Sequence, residues 1–281
     1  MDERSMTLQQ IEEYVRYLRT EEKSAATIKQ YQREVQRFYL WLPDGKRLGK
    51  EQALAYKEAL QDRKKAVSVH ASLAALNSFF RFMAWPELAL KPMKTQRRIF
   101  CEESRELDYE EYLRLVEAAE RLPNDRLCLI LQTIASTGIR ISELRAVTVE
   151  AVRLQRAEVR SKGKIRTVFL PQKLCRKLLR YIRTRRLASG PVFVTRSGKP
   201  VDRSNVWAEM KKLCAMANVD PRKVFPHNLR HLFARRHYDR HRDIAKLADI
   251  LGHSNVNTTR VYTISSGREH AVQIESLGLV V

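Results

Sequence analysis

Four side chains near the C-terminal end of this chain could together break a phosphodiester: His227, Arg230, His253 and Tyr262. A guanidinium and two imidazoles can hold a phosphate and stabilise the charge it gains while a phenol attacks it. A phenol titrates at about 10 in water, so it becomes a competent nucleophile only where cations stabilise the phenolate. Composition can point to binding DNA; only a set of this kind points to cutting it.

In Pro226-His227-Asn228-Leu229-Arg230-His231, His227 and Arg230 stand three apart, which places them on one face of a helix, with Leu229 and Phe233 free to face a core. His231 reads as structural or as support for its neighbours. Leu251-Gly252-His253-Ser254 reads as a helix stop followed by a new cap, and residues 255–261 as about two helical turns leading to Tyr262. A lone tyrosine is in general a packing residue, so Tyr262 gains weight from its company. Metal binding is the rival for the histidines, because His227/His231 and His237/His241 are i,i+4 pairs. No third ligand stands at a characteristic spacing and the surrounding arginines repel cations, so no metal is expected.

Two more candidates lie upstream. In Thr137-Gly138-Ile139-Arg140, a glycine before a helix start offers exposed backbone N–H groups, and Arg140 in the first turn could bind two oxygens of a phosphate. Alone, an arginine there is an ordinary surface residue. Ser161-Lys162-Gly163-Lys164 forms the tip of a hairpin, where a lysine can reach into a groove and, with its pKa lowered by neighbouring cations, act as a general acid. Lys162 and Lys164 both qualify by position, beside the plainer reading of a charged hairpin tip.

The elements that must position these groups are mostly helices. Leu8, Ile11, Val15 and Leu18 predict one helix, and Ser24 opens a second with Ile28, Tyr31, Val35, Phe38 and Leu42 as its apolar stripe. After a turn at Pro43-Asp44-Gly45, two more helices are predicted over 49–62 and 68–84; these aromatics read as core packing. Pro86, Pro92 and the run Lys94-Thr95-Gln96-Arg97-Arg98 mark a basic linker. A second domain begins near Ser104, with predicted helices over 109–121 and 124–136 and a short one from Arg140. Strands are predicted at 157–160 and 166–170, then a basic helix over 172–187, a possible third strand at 191–194, and helices to the end. The fold expected is mainly α: a helical bundle over 1–90, a linker over 91–104, and an α+β domain over 105–281 with a small antiparallel sheet and a short tail helix at 267–277.

Charge is the strongest bulk signal. Lys and Arg number 53 against 32 Asp and Glu, a net +21, unevenly spread: residues 101–150 carry 6 basic and 11 acidic side chains, and residues 151–250 carry 26 and 7. A surplus focused in this way fits a polyanion and makes its binding salt-dependent. The acidic, polar start is no secretory signal, and no apolar run is long enough to span a membrane. Cys101, Cys128, Cys175 and Cys214 are far apart with no C-x-x-C pair, which suits a reduced, cytoplasmic setting and burial as small hydrophobes.

Taken together, the order Arg140, Lys162, His227, Arg230, His253, Tyr262 closely resembles that of the tyrosine recombinase (phage integrase) family. The stretches TGIRISEL, SKGKIRTVFLP, HNLRHLFA and LGHSNVNTTRVYT carry the likeness across the second domain. More weakly, SAATIKQYQREVQRFYLWL within residues 7–85 resembles the family's helical, SAM-like core-binding domain. The resemblance implies that Tyr262 attacks a scissile phosphate to give a 3′-phosphotyrosine, that Arg140, Arg230 and His253 hold the non-bridging oxygens, that His227 helps accept the tyrosine proton, and that Lys162 protonates the leaving 5′-oxygen. No cofactor is implied. The implied partner is double-stranded DNA, clamped between the two domains, by a protein that is a monomer or weak oligomer when free and a tetramer on paired sites through the C-terminal tail, which packs either on a neighbour or on its own domain.

Three departures from the family pattern stand out. The hairpin is short, so Lys164 competes with Lys162. Arg235-Arg236 replace small or uncharged residues and are expected to add phosphate contacts. The chain starts close to the core-binding domain, an arm-less form that suggests a simple recombinase or mobile-element integrase. Integration and excision of a mobile element is the task expected; Xer-like chromosome dimer resolution and type IB topoisomerase-like relaxation are the alternatives, with an inert DNA-binding protein as the rival of another class.

Overall fold

Thr7 and Ser24 each begin a helix by accepting, on the side-chain oxygen, a hydrogen bond from the backbone N–H three residues on. These caps start α1 (Leu8–Thr20) and α2 (Ala25–Trp41), and α3 (Lys50–Arg63) and α4 (Ala66–Phe82) complete a four-helix unit. The computed structural model describes residues 4–93, 105–161, 164–253, 255–262 and 275–279. The linker run from Lys94, Cys101, Ser104, Lys162, Ser254 and most of the tail helix therefore lie outside the described residues. Contacts divide the chain into two units, residues 1–97 and 98–281.

In the first unit the expected stripes meet in one core. Ile11, Leu18, Val35, Phe38, Leu73, Leu76, Phe79 and Phe80 are buried together, and Tyr14 meets Phe79 edge-on with ring centroids 5.3 Å apart. The aromatics are packing residues, as their spacing suggests. Between α2 and α3 the turn closes with a Lys46 N–H bond to the Pro43 carbonyl. It also brings β2 (Arg47–Leu48) against β1 (Arg4–Ser5), a two-residue pairing too short to show as alternation in the sequence.

The second unit is built on α6 (Arg126–Thr137), where Leu127, Ile130, Leu131 and Ile134 are all buried. Each such side chain taken from water contributes about 2 kcal/mol. α5 (Tyr109–Glu120) starts with a reciprocal cap between Asp108 and Glu111 and lies against α9 (Arg203–Ala217), while α10 (Pro226–His241) runs along α6. α7 (Val149–Arg153) packs on α8 (Gln172–Thr184), and α11 (Ile244–Leu251) on α10.

Between α7 and α8 stands an antiparallel hairpin, β3 (Arg156–Ser161) and β4 (Lys164–Phe169). Val159 opposite Arg166 and Ala157 opposite Val168 form its inner face, while Ile165 and Phe169 stay exposed. The strands are longer than expected, and Ser161 pairs with Lys164. The third strand expected at 191–194 does not form. Pro191 and Val194 make only isolated bridges, to Thr148 and Pro200; a proline cannot donate to a ladder. Among the described residues no helix is long and apolar enough to cross a membrane.

Candidate active site

The turn after α6 decides where Arg140 goes. Gly138 ends the helix at φ +63°, and a Cβ there would come within 2.5 Å of the Phe233 ring and 2.9 Å of Leu251. Only glycine lets α6, α10 and the end of α11 approach so closely. Arg140 then caps a 3₁₀ helix over Ile141–Ala146. Of the N–H groups expected to be free at this turn, that of Arg140 is already bonded. Glu143 accepts the Arg140 backbone N–H on Oε2 (2.9 Å), the Arg140 Nη1 on Oε1 (2.9 Å) and the Arg166 Nη2 on Oε2 (2.6 Å). One buried carboxylate thus fixes two guanidinium groups.

Arg166 comes from the inner face of β4 and also donates to the Ile250 carbonyl (3.1 Å). A Cβ on Gly252, in the left-handed turn that ends α11, would meet the Arg166 side chain at 2.4 Å. Arg166 therefore ties the hairpin, the Arg140 turn and the segment leading to His253 into one piece. Burial lowers its pKa, with Glu143 opposing the shift and Arg140 adding to it. Sequence spacing did not single out Glu143 or Arg166; the signals present were the three-residue spacing of a reciprocal cap after Arg140 and the inward parity of residue 166.

Arg230 is the most deeply buried member, with 2% of its surface exposed. Nη1 donates to the Gly138 carbonyl (2.5 Å), and Nη2 to the Leu251 carbonyl (2.8 Å) and to His253 Nε2 (3.0 Å). All three partners are neutral. A guanidinium buried without a carboxylate costs several kcal/mol, and the strain shows as a pKa lowered to about 10 by burial and then by Arg140, with the Tyr262 phenol opposing. Arg230 still carries its charge at neutral pH, and among the described residues no carboxylate forms a salt bridge with it.

The histidines line up along this charge. His227, in the otherwise buried first turn of α10, has its pKa lowered by desolvation and by Arg230, Arg140 and Arg203. His231 meets the His227 ring at one side and the Tyr262 ring at the other, each with centroids 4.5 Å apart. Its pKa falls to about 3, chiefly through burial. His253 stacks beside Tyr262 at 5.9 Å, bonds Thr259 Oγ1 through Nδ1 (2.8 Å), and has its pKa lowered to about 4 by burial and then Arg230. All three rings are neutral at pH 7, as hydrogen-bonding groups and proton acceptors require.

Tyr262 itself is 5% exposed, packed with Ala234, Leu247 and Leu251. The two α-helical turns expected before it are instead two short 3₁₀ turns, Val256–Thr258 and Arg260–Tyr262. Each residue of a 3₁₀ turn rises further than in an α-helix, so the shorter winding still spans the gap from His253.

The structure thus brings Arg140, Arg230, His253 and Tyr262 together, with His227 joined through His231. Lys162 is outside the described residues; Lys164 lies on β4, paired with Ser161. Arg235 and Arg236, expected to hold phosphates, are engaged within the domain. Arg235 bonds Glu106 and the Leu107 carbonyl (2.7 Å), and Arg236 lies over the Tyr109 ring at 4.4 Å. They tie α10 to the chain entering α5. Cys128, Cys175 and Cys214 are buried and free. Among the described residues no group of three or more His, Cys, Asp and Glu is placed to hold a metal ion.

Comparison with known proteins agrees with this geometry. Residues 105–268 match the phage integrase family, and residues 11–87 its N-terminal SAM-like domain. Tyrosine recombinase XerA of Thermococcus kodakarensis is 32% identical over 286 residues, covering 95% of this chain and 96% of that protein. A crystal structure of XerA recombinase superposes with a TM-score of 0.53 at 27% identity, over 94% of this chain and 97% of the other. A lambda integrase tetramer bound to a Holliday junction shares the fold with a TM-score of 0.72 at 19% identity, over 92% and 77%.

Proposed function

Because the chain belongs to the phage integrase family of tyrosine recombinases, it is a site-specific recombinase that cleaves and rejoins DNA strands, and we propose that Arg140, Lys162, His227, Arg230, His253 and Tyr262 carry out that chemistry. The observation that supports this reading best is Arg230, a buried cation whose described partners are all neutral, beside a buried phenol. A scissile phosphate supplies the missing anion.

In this mechanism the Tyr262 oxygen attacks phosphorus and the bond to the 5′-oxygen breaks, leaving a 3′-phosphotyrosine. Arg140 and Arg230, oriented by Glu143 and by the two carbonyls, donate to the non-bridging oxygens as they gain charge, and His253 adds a third donor. The tyrosine proton passes toward His227, with the His231 ring next to the phenol. Lys162 gives a proton to the leaving oxygen. The position of Lys164 on a paired strand favours Lys162, which precedes Gly163 between the paired ends. The phosphotyrosine keeps the bond energy, so the partner strand's 5′-hydroxyl reverses the step with no cofactor.

Residues 1–90 serve as the core-binding domain, 91–104 as the linker and 105–281 as the catalytic domain on this reading. Double-stranded DNA is the partner, and four copies assemble on paired sites through the tail at 267–277. For the biological task, similarity along almost the whole length to XerA recombinases favours the Xer-like role, resolution of chromosome dimers, over integration and excision of a mobile element.

The test uses a randomised pool of nicked duplexes, whose cleaved end cannot religate. Covalent adducts formed in EDTA identify the site sequence. A plasmid carrying two direct repeats of that site should then resolve into two circles. Relaxation of supercoils without exchange between sites would instead place the protein with the type IB topoisomerases.

A further inference from the structure

Thr259 is a polar side chain buried to 0% exposure between the two residues that matter most here. Its hydroxyl meets His253 Nδ1 at 2.8 Å, and its carbonyl accepts the Tyr262 N–H at 2.9 Å. It thus joins the imidazole to the backbone turn that carries Tyr262. A buried hydroxyl is costly unless bonded, and a β-branched apolar residue would fill the same space, so packing alone does not call for threonine.

The direction of the bond is informative. A guanidinium only donates, so Arg230 Nη2 facing His253 Nε2 requires Nε2 to accept. In the neutral ring the proton then sits on Nδ1, and Thr259 Oγ1 accepts it. A phosphate oxygen only accepts, so when it takes the place facing Nε2 the ring must donate there. The ring then loses a proton at Nδ1 and gains one at Nε2, both exchanged with water, and its charge is unchanged. Nδ1 becomes an acceptor, and its partner must become a donor.

We propose that Thr259 is a positioning residue whose hydroxyl holds His253 in both states, accepting from Nδ1 before DNA binds and donating to Nδ1 once Nε2 faces the phosphate. A hydroxyl rotates to do either; a carboxylate could only accept, and an apolar side chain could do neither. This rests on His253 as a phosphate donor, as argued above.

The test measures single-turnover cleavage of a nicked duplex carrying the selected site. Thr259→Val should slow cleavage 10- to 100-fold, the loss usual when the partner that orients an essential histidine is removed, with DNA affinity within twofold of wild type. Thr259→Ser should recover most of the rate. In a His253→Ala background, Thr259→Val should slow cleavage no further. Equal slowing in both backgrounds would make Thr259 merely structural, and a Val variant as fast as wild type would overturn the proposal outright. If His253→Ala cleaves as fast as wild type, the underlying role of His253 fails instead. Nitrogen NMR of the intact protein guards against a misfolded variant. His253 should carry its proton on Nδ1 when free and on Nε2 when Tyr262→Phe protein holds uncleaved DNA; a ring protonated at Nε2 in the free protein would contradict the proposal.

Discussion

Glu34 in the helical unit and Arg230 in the catalytic unit are both buried charges, and the chain treats them in opposite ways. The Glu34 carboxylate accepts from Lys64 (3.1 Å), Arg37 (2.9 Å) and Ser72 (2.8 Å). Burial alone would raise its pKa, but these donors pull it below the ordinary value. Arg230 is held as firmly, yet by two carbonyls, an imidazole and the Tyr262 phenol. The first charge is neutralised on folding and stabilises a helix pair. The second has no carboxylate partner among the described residues, and on the proposed reading the scissile phosphate balances it. That contrast separates a structural ion from a functional one more clearly than burial does.

The contrast is sharpest at Arg230. Replacing it with Met should cut single-turnover cleavage about 1000-fold, or about 4 kcal/mol of transition-state stabilisation. Folding stability should change by only about 1 kcal/mol, because relief of the buried charge offsets the lost hydrogen bonds. Large unfolding in a urea titration would show that Arg230 is structural after all.

Next in size is the hairpin. Lys162→Ala should slow cleavage about 100-fold or more, and Lys164→Ala only a few-fold. A 5′-phosphorothiolate substrate, whose leaving group needs no proton, should restore the first variant. Failure of that rescue would remove Lys162 from the acid role.

Glu34→Gln should do the reverse of Arg230→Met. It should cost about 2 kcal/mol in urea unfolding, since it leaves Lys64 poorly matched, and leave cleavage within a few-fold. A cleavage defect larger than the stability loss explains would erase the distinction between the two charges.

The smallest effect is on pH. His231 and His253 titrate in the fold at about 3 and about 4, below the ordinary 6.5. The unfolded chain therefore binds more protons between those limits, and the catalytic unit loses stability as pH falls below about 6.5. Glu34 has a lowered pKa, so its contribution is kept until pH falls below the ordinary carboxylate range near 4.5. Hydrogen exchange on the full chain at pH 7 and pH 5.5 should show α10 and α11 losing protection first, with α2 and α4 unchanged. The opposite order would contradict these assignments.

Much of this was legible in the sequence because it is local. Stripes such as Ile11-Val15-Leu18 and caps such as Ser24 need only neighbouring residues, and the helices followed them closely. The proposed active-site residues are legible by type and order. What the sequence hid depends on contacts between distant segments. Glu143 meets Arg166 across 23 positions, and Arg235 finds Glu106 across 129, so a residue that looked available for phosphate was already engaged. The β1–β2 pair was too short to leave a pattern, and the segment expected as a strand at 191–194 makes only isolated bridges, to Thr148 and Pro200. The sequence around Gly138 suggests a phosphate-binding turn; in the fold this glycine lets α10 and α11 close on α6.

The most direct measurement concerns the atom that makes the bond. Adduct formed on a nicked duplex should be digested and its DNA-bearing peptide sequenced by mass spectrometry. The 3′-phosphate is expected on the Tyr262 oxygen in wild type, with no adduct from Tyr262→Phe. A 3′-phosphate on any other residue, or undiminished adduct from Tyr262→Phe, would contradict the account.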